Sequence, residues 1–202
     1  MGRRLHEPSL AAGTGRGKDG LAKNRQGVEN DGMDDLLPLL DYTAWATERV
    51  LAALAPLTLE ELAHDLNGSH GGVAGTLGHL YGSDVIWTAR LCSQPAVSFS
   101  DLPELPRLHR LEVQWLALQT GRRNFVAGLA PEQMIVYANL KGETQHSAVD
   151  EIVRHLVSHG AYHRGQIVTL LRQLGHAAPN TDLIAFYRLQ IDKALPGFQG
   201  AG

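Results

Sequence analysis

Large apolar side chains are few over residues 1–32, which are rich in Gly, Arg, Lys and Asn. Such a stretch buries too little surface to offset its ordering entropy, so a disordered N-terminal extension is expected there. The pattern changes at Met33, a candidate alternative start that the intact mass of the native protein would decide. Leu36, Leu40, Trp45, Val50, Leu51 and Leu54 recur on roughly one side of a helix over about 34–55. Pro38 falls near its first turn, where a missing N–H costs little, and Pro56 closes it. Thr58 and Glu61 have the spacing of a capping box for a short helix. Val73, Leu77, Leu80, Val85, Ile86, Trp87 and Leu91 predict a second long helix over about 72–92. Pro95, Pro103 and Pro106 make 93–106 a loop.

A third long helix is predicted over about 107–129, from Leu111, Trp115, Leu118, Phe125 and Leu129. Ile135, Val136, Tyr137 and Leu140 then break the helical period, and Lys141-Gly142 marks a turn. A small hairpin over 134–147 follows, stable only if it packs on helices. The last long helix covers about 148–174, with Ile152, Leu156, Ile167, Leu170 and Leu171 apolar and Gly175 at its C-terminal boundary. A short helix near 181–189 ends the pattern. Four long helices with one hairpin insertion predict an all-α domain over 33–202, built as a four-helix bundle.

Composition narrows the function classes. The chain has 202 residues, 44% of them hydrophobic, enough for a real core. A net charge of -3, a pI of about 6.3 and the lack of a basic stripe argue against nucleic acid or an anionic membrane as partner. No run of about 18 apolar residues is present, so no spanning helix is expected. Arg3 and Arg4 lead into Glu7, Pro8 and a Gly-rich run rather than an apolar stretch, which does not suit an export signal. The single cysteine, Cys92, cannot form an internal disulfide, and a cytoplasmic setting fits best. At the end of an apolar helix pattern it reads as structural rather than as a nucleophile. Gly13, Gly15, Gly17 and Lys18 lack phosphate-loop spacing.

The histidines change the picture. Ten are present, and His155, His159 and His163 follow one another at i, i+4 steps on the last long helix. Each step rises about 6 Å and keeps neighbours on one face, so two of them can chelate one ion. The outer two lie about 12 Å apart along the axis, so a further ligand must come from another helix. His79, between Leu77 and Leu80, is the best donor. A zinc-protease pattern is absent, because Gly160 rather than Glu follows His159. His6, His64, His70, His109, His146 and His176 fall in the tail, at helix ends or in loops, where solvated roles are expected. Asp84 is expected either to orient a ligand histidine or to face solvent. His155 and Gln166 are candidates for supporting contacts, Arg164 for a pair with a carboxylate, and Gly165 for a close helix approach.

The run His159, His163, Arg164, Gly165, Gln166, Ile167 resembles the HxxxHRGQI signature of DinB/YfiT-like proteins. Gly75 to Leu80 with Asp84, Trp87 and Arg90 resembles their second-helix motif. The Asn139 to Gly142 turn and Thr181-Asp182 resemble their hairpin and C-terminal segment. The resemblance covers about 34–190. It implies a four-helix bundle with one divalent ion on His79, His159 and His163. Three imidazoles do not choose among zinc, nickel, iron and manganese, since availability and geometry decide; zinc is the ion favoured. It further implies a metal-dependent transferase that activates a low-molecular-weight thiol such as bacillithiol or mycothiol against an electrophile, in stress or detoxification, in a homodimer. The alternatives are a hydrolase using metal-bound water and a non-enzymatic metal-binding damage-response protein.

Overall fold

The computed structural model describes residues 31–102 and 107–194. The expected extension over 1–32 lies outside them, apart from the two residues that begin the first helix. Helices α1 (Asp31–Leu54), α2 (Leu59–Ala63), α3 (Val73–Leu91), α4 (Leu108–Val126), α5 (Val149–Gln173) and α6 (Leu183–Ala194) alternate with a hairpin, β1 (Met134–Ala138) and β2 (Thr144–Ala148), before α5. The fold is the expected helical bundle with its small insertion. No helix among the described residues is long and apolar enough to cross a membrane.

Local signals explain several boundaries. Thr58 accepts from the Glu61 amide at 3.1 Å while the Glu61 carboxylate accepts from the Thr58 amide at 2.8 Å, the reciprocal pair that starts α2. His176 holds the other Glu61 oxygen at 2.9 Å, which helps lower the Glu61 carboxyl to about 2 and gives His176 a partner rather than the solvated role expected of it. Gly175, at φ +81°, ends α5 as anticipated. Two expectations shift. α1 begins three residues early, so Pro38 sits inside it rather than in its first turn. That leaves the carbonyl of Asp34, four residues earlier, without its helical donor. α6 runs five residues past the predicted end.

The hairpin pairs Met134 with Ala148 and Ala138 with Thr144 in antiparallel register. The Asn139 side-chain oxygen closes its turn by accepting from the amides of Lys141 and Glu143. It survives as a two-stranded unit because Ile135 is buried against Met33, Val149 and Ile152, and because Tyr137 meets Trp87 edge-on at 5.4 Å.

The core has two apolar clusters. One joins Val50, Leu54, Leu77, Leu80, Leu111, Trp115, Ile167 and Leu171. The other joins Leu36, Leu40, Leu91, Val126, Ile152 and Leu156. On all four long helices, the stretch between the two clusters carries buried polar groups: Thr43 and Thr47, Ser83 and Asp84, Gln119 and Arg122, His163 and Arg164. Asp84 is the hub. It accepts from Trp115 Nε1 at 2.7 Å and Gln119 Nε2 at 3.2 Å, and pairs with Arg122 Nη1 at 3.0 Å. Trp115, Gln119 and Arg122 stand at i, i+4 and i+7, one face of α4.

Asp84→Ala should lower stability by about 3–5 kcal/mol in urea denaturation, since it strands the buried Arg122. Asp41→Ala, which breaks the half-exposed pair with Arg123, should cost less than about 1 kcal/mol. Equal losses would show that the buried pair is not the stronger constraint.

Candidate metal centre

Two helices and one loop converge on one cluster of imidazoles. α5 supplies His159 and His163 from consecutive turns, with ring centroids 4.4 Å apart. α3 supplies His79, whose Nε2 lies 3.3 Å from Nε2 of His159. The loop between α2 and α3 supplies His70, stacked on His79 at 4.0 Å. One ligand nitrogen each from His70, His79 and His163 lies within 4.8 Å of the other two. His70 is therefore part of the cluster and not the solvated loop residue expected. Its only signal in the sequence was a glycine-flanked position in a turn before α3, which many solvated histidines share.

Ring orientation separates these four. An imidazole binds an ion in its own ring plane, at about 2.0–2.1 Å for zinc. The planes of His79, His159 and His163 are inclined to one another by 48°, 61° and 59°; His159 lies outside the set whose nitrogens are all within 4.8 Å of one another and joins it through its contact with His79. The 3.3 Å between the His79 and His159 Nε2 atoms is a hydrogen-bond contact in the metal-free chain, and it is also close to the edge of about 3.3 Å of a tetrahedral zinc site. His70 is only 15° from parallel with His79. An ion in the plane of one of these stacked rings lies well out of the plane of the other, so they cannot share it in this arrangement.

The electrostatics suit a cation ligand set. Burial, reinforced by neighbouring imidazoles, lowers His79 and His159 from 6.5 to about 4. Burial also lowers His163, opposed by its bond to Gln166. All three are neutral near pH 7, with lone pairs to offer. Nδ1 of His163 meets Oε1 of Gln166 at 2.7 Å. With the amide oxygen accepting, Nδ1 carries the proton and Nε2 is left free, the usual way a supporting bond fixes a ligand tautomer.

The other residues singled out in the sequence fall elsewhere. Asp84 neither touches a histidine nor faces solvent; it is the buried hub, and reaches His159 only as a through-space charge that favours protonation. His155 packs at a tilt against Trp87, ring centroids 4.7 Å apart, and against His159 at 5.4 Å. Arg164 is buried but, against expectation, pairs with no carboxylate among the described residues. Its guanidinium nitrogens lack a hydrogen-bond partner among the described residues, and its charge lies 5.3 Å from the Tyr42 ring centroid. Gly160, not Gly165, makes the close approach: a Cβ there would stand 2.7 Å from Arg164 Nη1, whereas Gly165 has open space. Cys92 is half-buried, and burial pushes its thiol up, which makes it a poor nucleophile.

A family model for the DinB family matches residues 31–194, which include every element of the bundle. This chain belongs to the DinB family. Protein DinB of Bacillus subtilis (strain 168) is 27% identical over 157 residues, covering 74% of this chain and 91% of that protein. The DinB match takes in His70, His79, His159 and His163 alike.

The lowered histidines give a pH dependence with a definite sign. Between about pH 4 and 6.5 the unfolded chain binds protons that folded His79 and His159 refuse. Their contribution is intact above pH 6.5 and is lost as pH falls toward 4. The metal-free protein should have a lower urea midpoint at about pH 5 than at about pH 7, and a His79→Gln/His159→Gln variant should show a smaller difference. An undiminished difference would assign the effect to other groups.

Proposed function

We propose that this protein holds one divalent ion, preferentially zinc, on His79, His159 and His163, and acts as a transferase that activates a low-molecular-weight thiol. The observation that carries the reading is the set of three mutually inclined, neutral imidazoles with two nitrogens a tetrahedral edge apart. Three neutral ligands would leave the ion its full charge and an open position, the pattern of a catalytic rather than a structural site. His79, His159 and His163 would hold the ion, which would lower the pKa of a bound thiol. The transfer would join the thiol sulfur to the electrophilic carbon while the leaving group departs with its electron pair.

Arg122 is paired with Asp84, and the Arg164 charge lies over the Tyr42 ring. A cavity of about 490 Å³ opens between the α2–α3 loop and α5, bounded by Asn67, Ser69, Thr76, Gln166 and Thr169. Its lining carries no ionised side chain and suits the hydrogen-bonding, uncharged part of a cosubstrate. Asp84, whose charge reaches His159, is already committed to Trp115, Gln119 and Arg122 and is not free to act as a general base for hydrolysis. A homodimer and a role in stress or detoxification complete the proposal on the strength of the family.

Elemental analysis of untagged protein should find about one transition-metal ion per chain, absent from His159→Ala/His163→Ala. The cobalt(II) form should develop sulfur-to-metal charge-transfer absorption when a small thiol is added. Protein that takes up no metal would overturn the site. Uptake without a thiol-dependent band would overturn the thiol role and favour hydrolysis or a non-enzymatic ion.

A further inference from the structure

The ring of His79 is enclosed on both faces by side chains from two separate loops. His70 stacks on one face, centroids 4.0 Å apart and planes 15° from parallel. Phe99, from the 3₁₀ turn Phe99–Asp101 between α3 and α4, lies at 5.2 Å and 14°. Each loop is seated against a glycine of α3. A Cβ on Gly75 would stand 1.9 Å from the His70 carbonyl oxygen, and one on Gly82 would stand 2.8 Å from Phe99 Cε1 and from Leu102 Cδ1. Gly75 and Gly82 lie four residues before and three after His79, so all three share one face of the helix.

Both loops are themselves braced. Gly68 and Gly71 exchange backbone hydrogen bonds of 2.9 and 3.0 Å around Ser69 and His70, with Gly71 at φ +78°. Asp101 accepts from the Ser98 amide at 2.8 Å and from its hydroxyl at 2.6 Å. Two short, internally bonded turns thus present two flat rings to one imidazole.

We propose that His70 and Phe99 are positioning residues: they clamp the His79 ring in the plane that points its Nε2 at His159, and His70 does so by stacking and not as a ligand. This rests on the metal reading above for its functional meaning, but the clamp itself is a property of the metal-free chain. The need for it follows from the helices. His159 and His163 are aligned by their spacing on one helix, whereas His79 reaches them across a helix interface with free rotation about two side-chain bonds. Two rings flanking an imidazole remove the χ2 freedom that ligand convergence cannot tolerate.

Four variants test this: His70→Phe, His70→Leu, Phe99→Leu and Gly82→Ala. In the metal-free protein, ring currents from Phe99 and His70 should hold the His79 Cε1 proton upfield. His70→Leu and Phe99→Leu should each move it toward the random-coil position, and His70→Phe should not. Cobalt(II) affinity should fall by about tenfold or more in His70→Leu, Phe99→Leu and Gly82→Ala, the scale of losing a group that orients a ligand, and stay near wild type in His70→Phe. Loss of cobalt(II) in His70→Phe as complete as in His79→Ala would overturn the inference by making His70 a ligand. Unchanged His79 shifts and unchanged affinity in both leucine variants would overturn it by showing no clamp. If the shifts move as expected but wild-type protein binds no cobalt(II), the clamp stands and the metal reading fails.

Discussion

The structure turns on one buried carboxylate. Asp84 brings a negative charge to the middle of a four-helix bundle, where desolvation is compensated only if every lone pair finds a donor. Trp115, Gln119 and Arg122 supply those donors from one face of α4. The requirement fixes the rotation and axial register of α3 against α4, because a one-residue slip of either helix turns the donors about 100° away. Once α3 is fixed, so is His79, five residues earlier on the same helix. The apolar clusters on either side contribute most of the burial, but apolar packing tolerates small shifts that a carboxylate with three donors does not.

The same polar stretch of the bundle explains why histidine can occupy the site. A buried imidazole loses the hydration of its charged form and responds by remaining neutral, as His79 and His159 do. Neutrality is the condition a metal ligand must meet. It is also a cost in the metal-free chain below pH 6.5, when the unfolded state accepts protons that the folded site does not. A fold with this cluster gives up acid stability for a set of lone pairs available at neutral pH.

The bundle was legible in the sequence because period and capping are local. The four long helices, the Thr58–Glu61 box, the hairpin and the Gly175 stop all follow from residues within a few positions of one another. The α5 pair and the Gln166 contact were legible for the same reason, being i, i+4 and i, i+3 relations on one helix. What escaped was everything that depends on which helix faces which. Asp84 reads equally as a surface acid until Trp115 and Arg122 are seen to converge on it. Arg164 looks like half of a salt bridge, and only Gly160 and Tyr42 show that it is housed without one. His70 carries no periodic signature, since its place is set by a turn closed between Gly68 and Gly71 and by the absence of a side chain at Gly75.

Helices and loops divide the work of building such a cluster. A helix delivers two donors at fixed separation without further help, but it cannot aim a third donor that stands on another helix. Packing and the Asp84 network place the backbone of α3, which settles where His79 begins and leaves open where its ring points. The loops before and after α3 are the nearest chain on either side of that ring, and glycines on the His79 face let both come into van der Waals contact. Both loops lie outside the two apolar clusters of buried residues, so what sets the His79 ring is separate from what sets α5. Ring orientation at His79 is thus set by loop contacts, whereas the spacing of His159 and His163 is set by helical geometry.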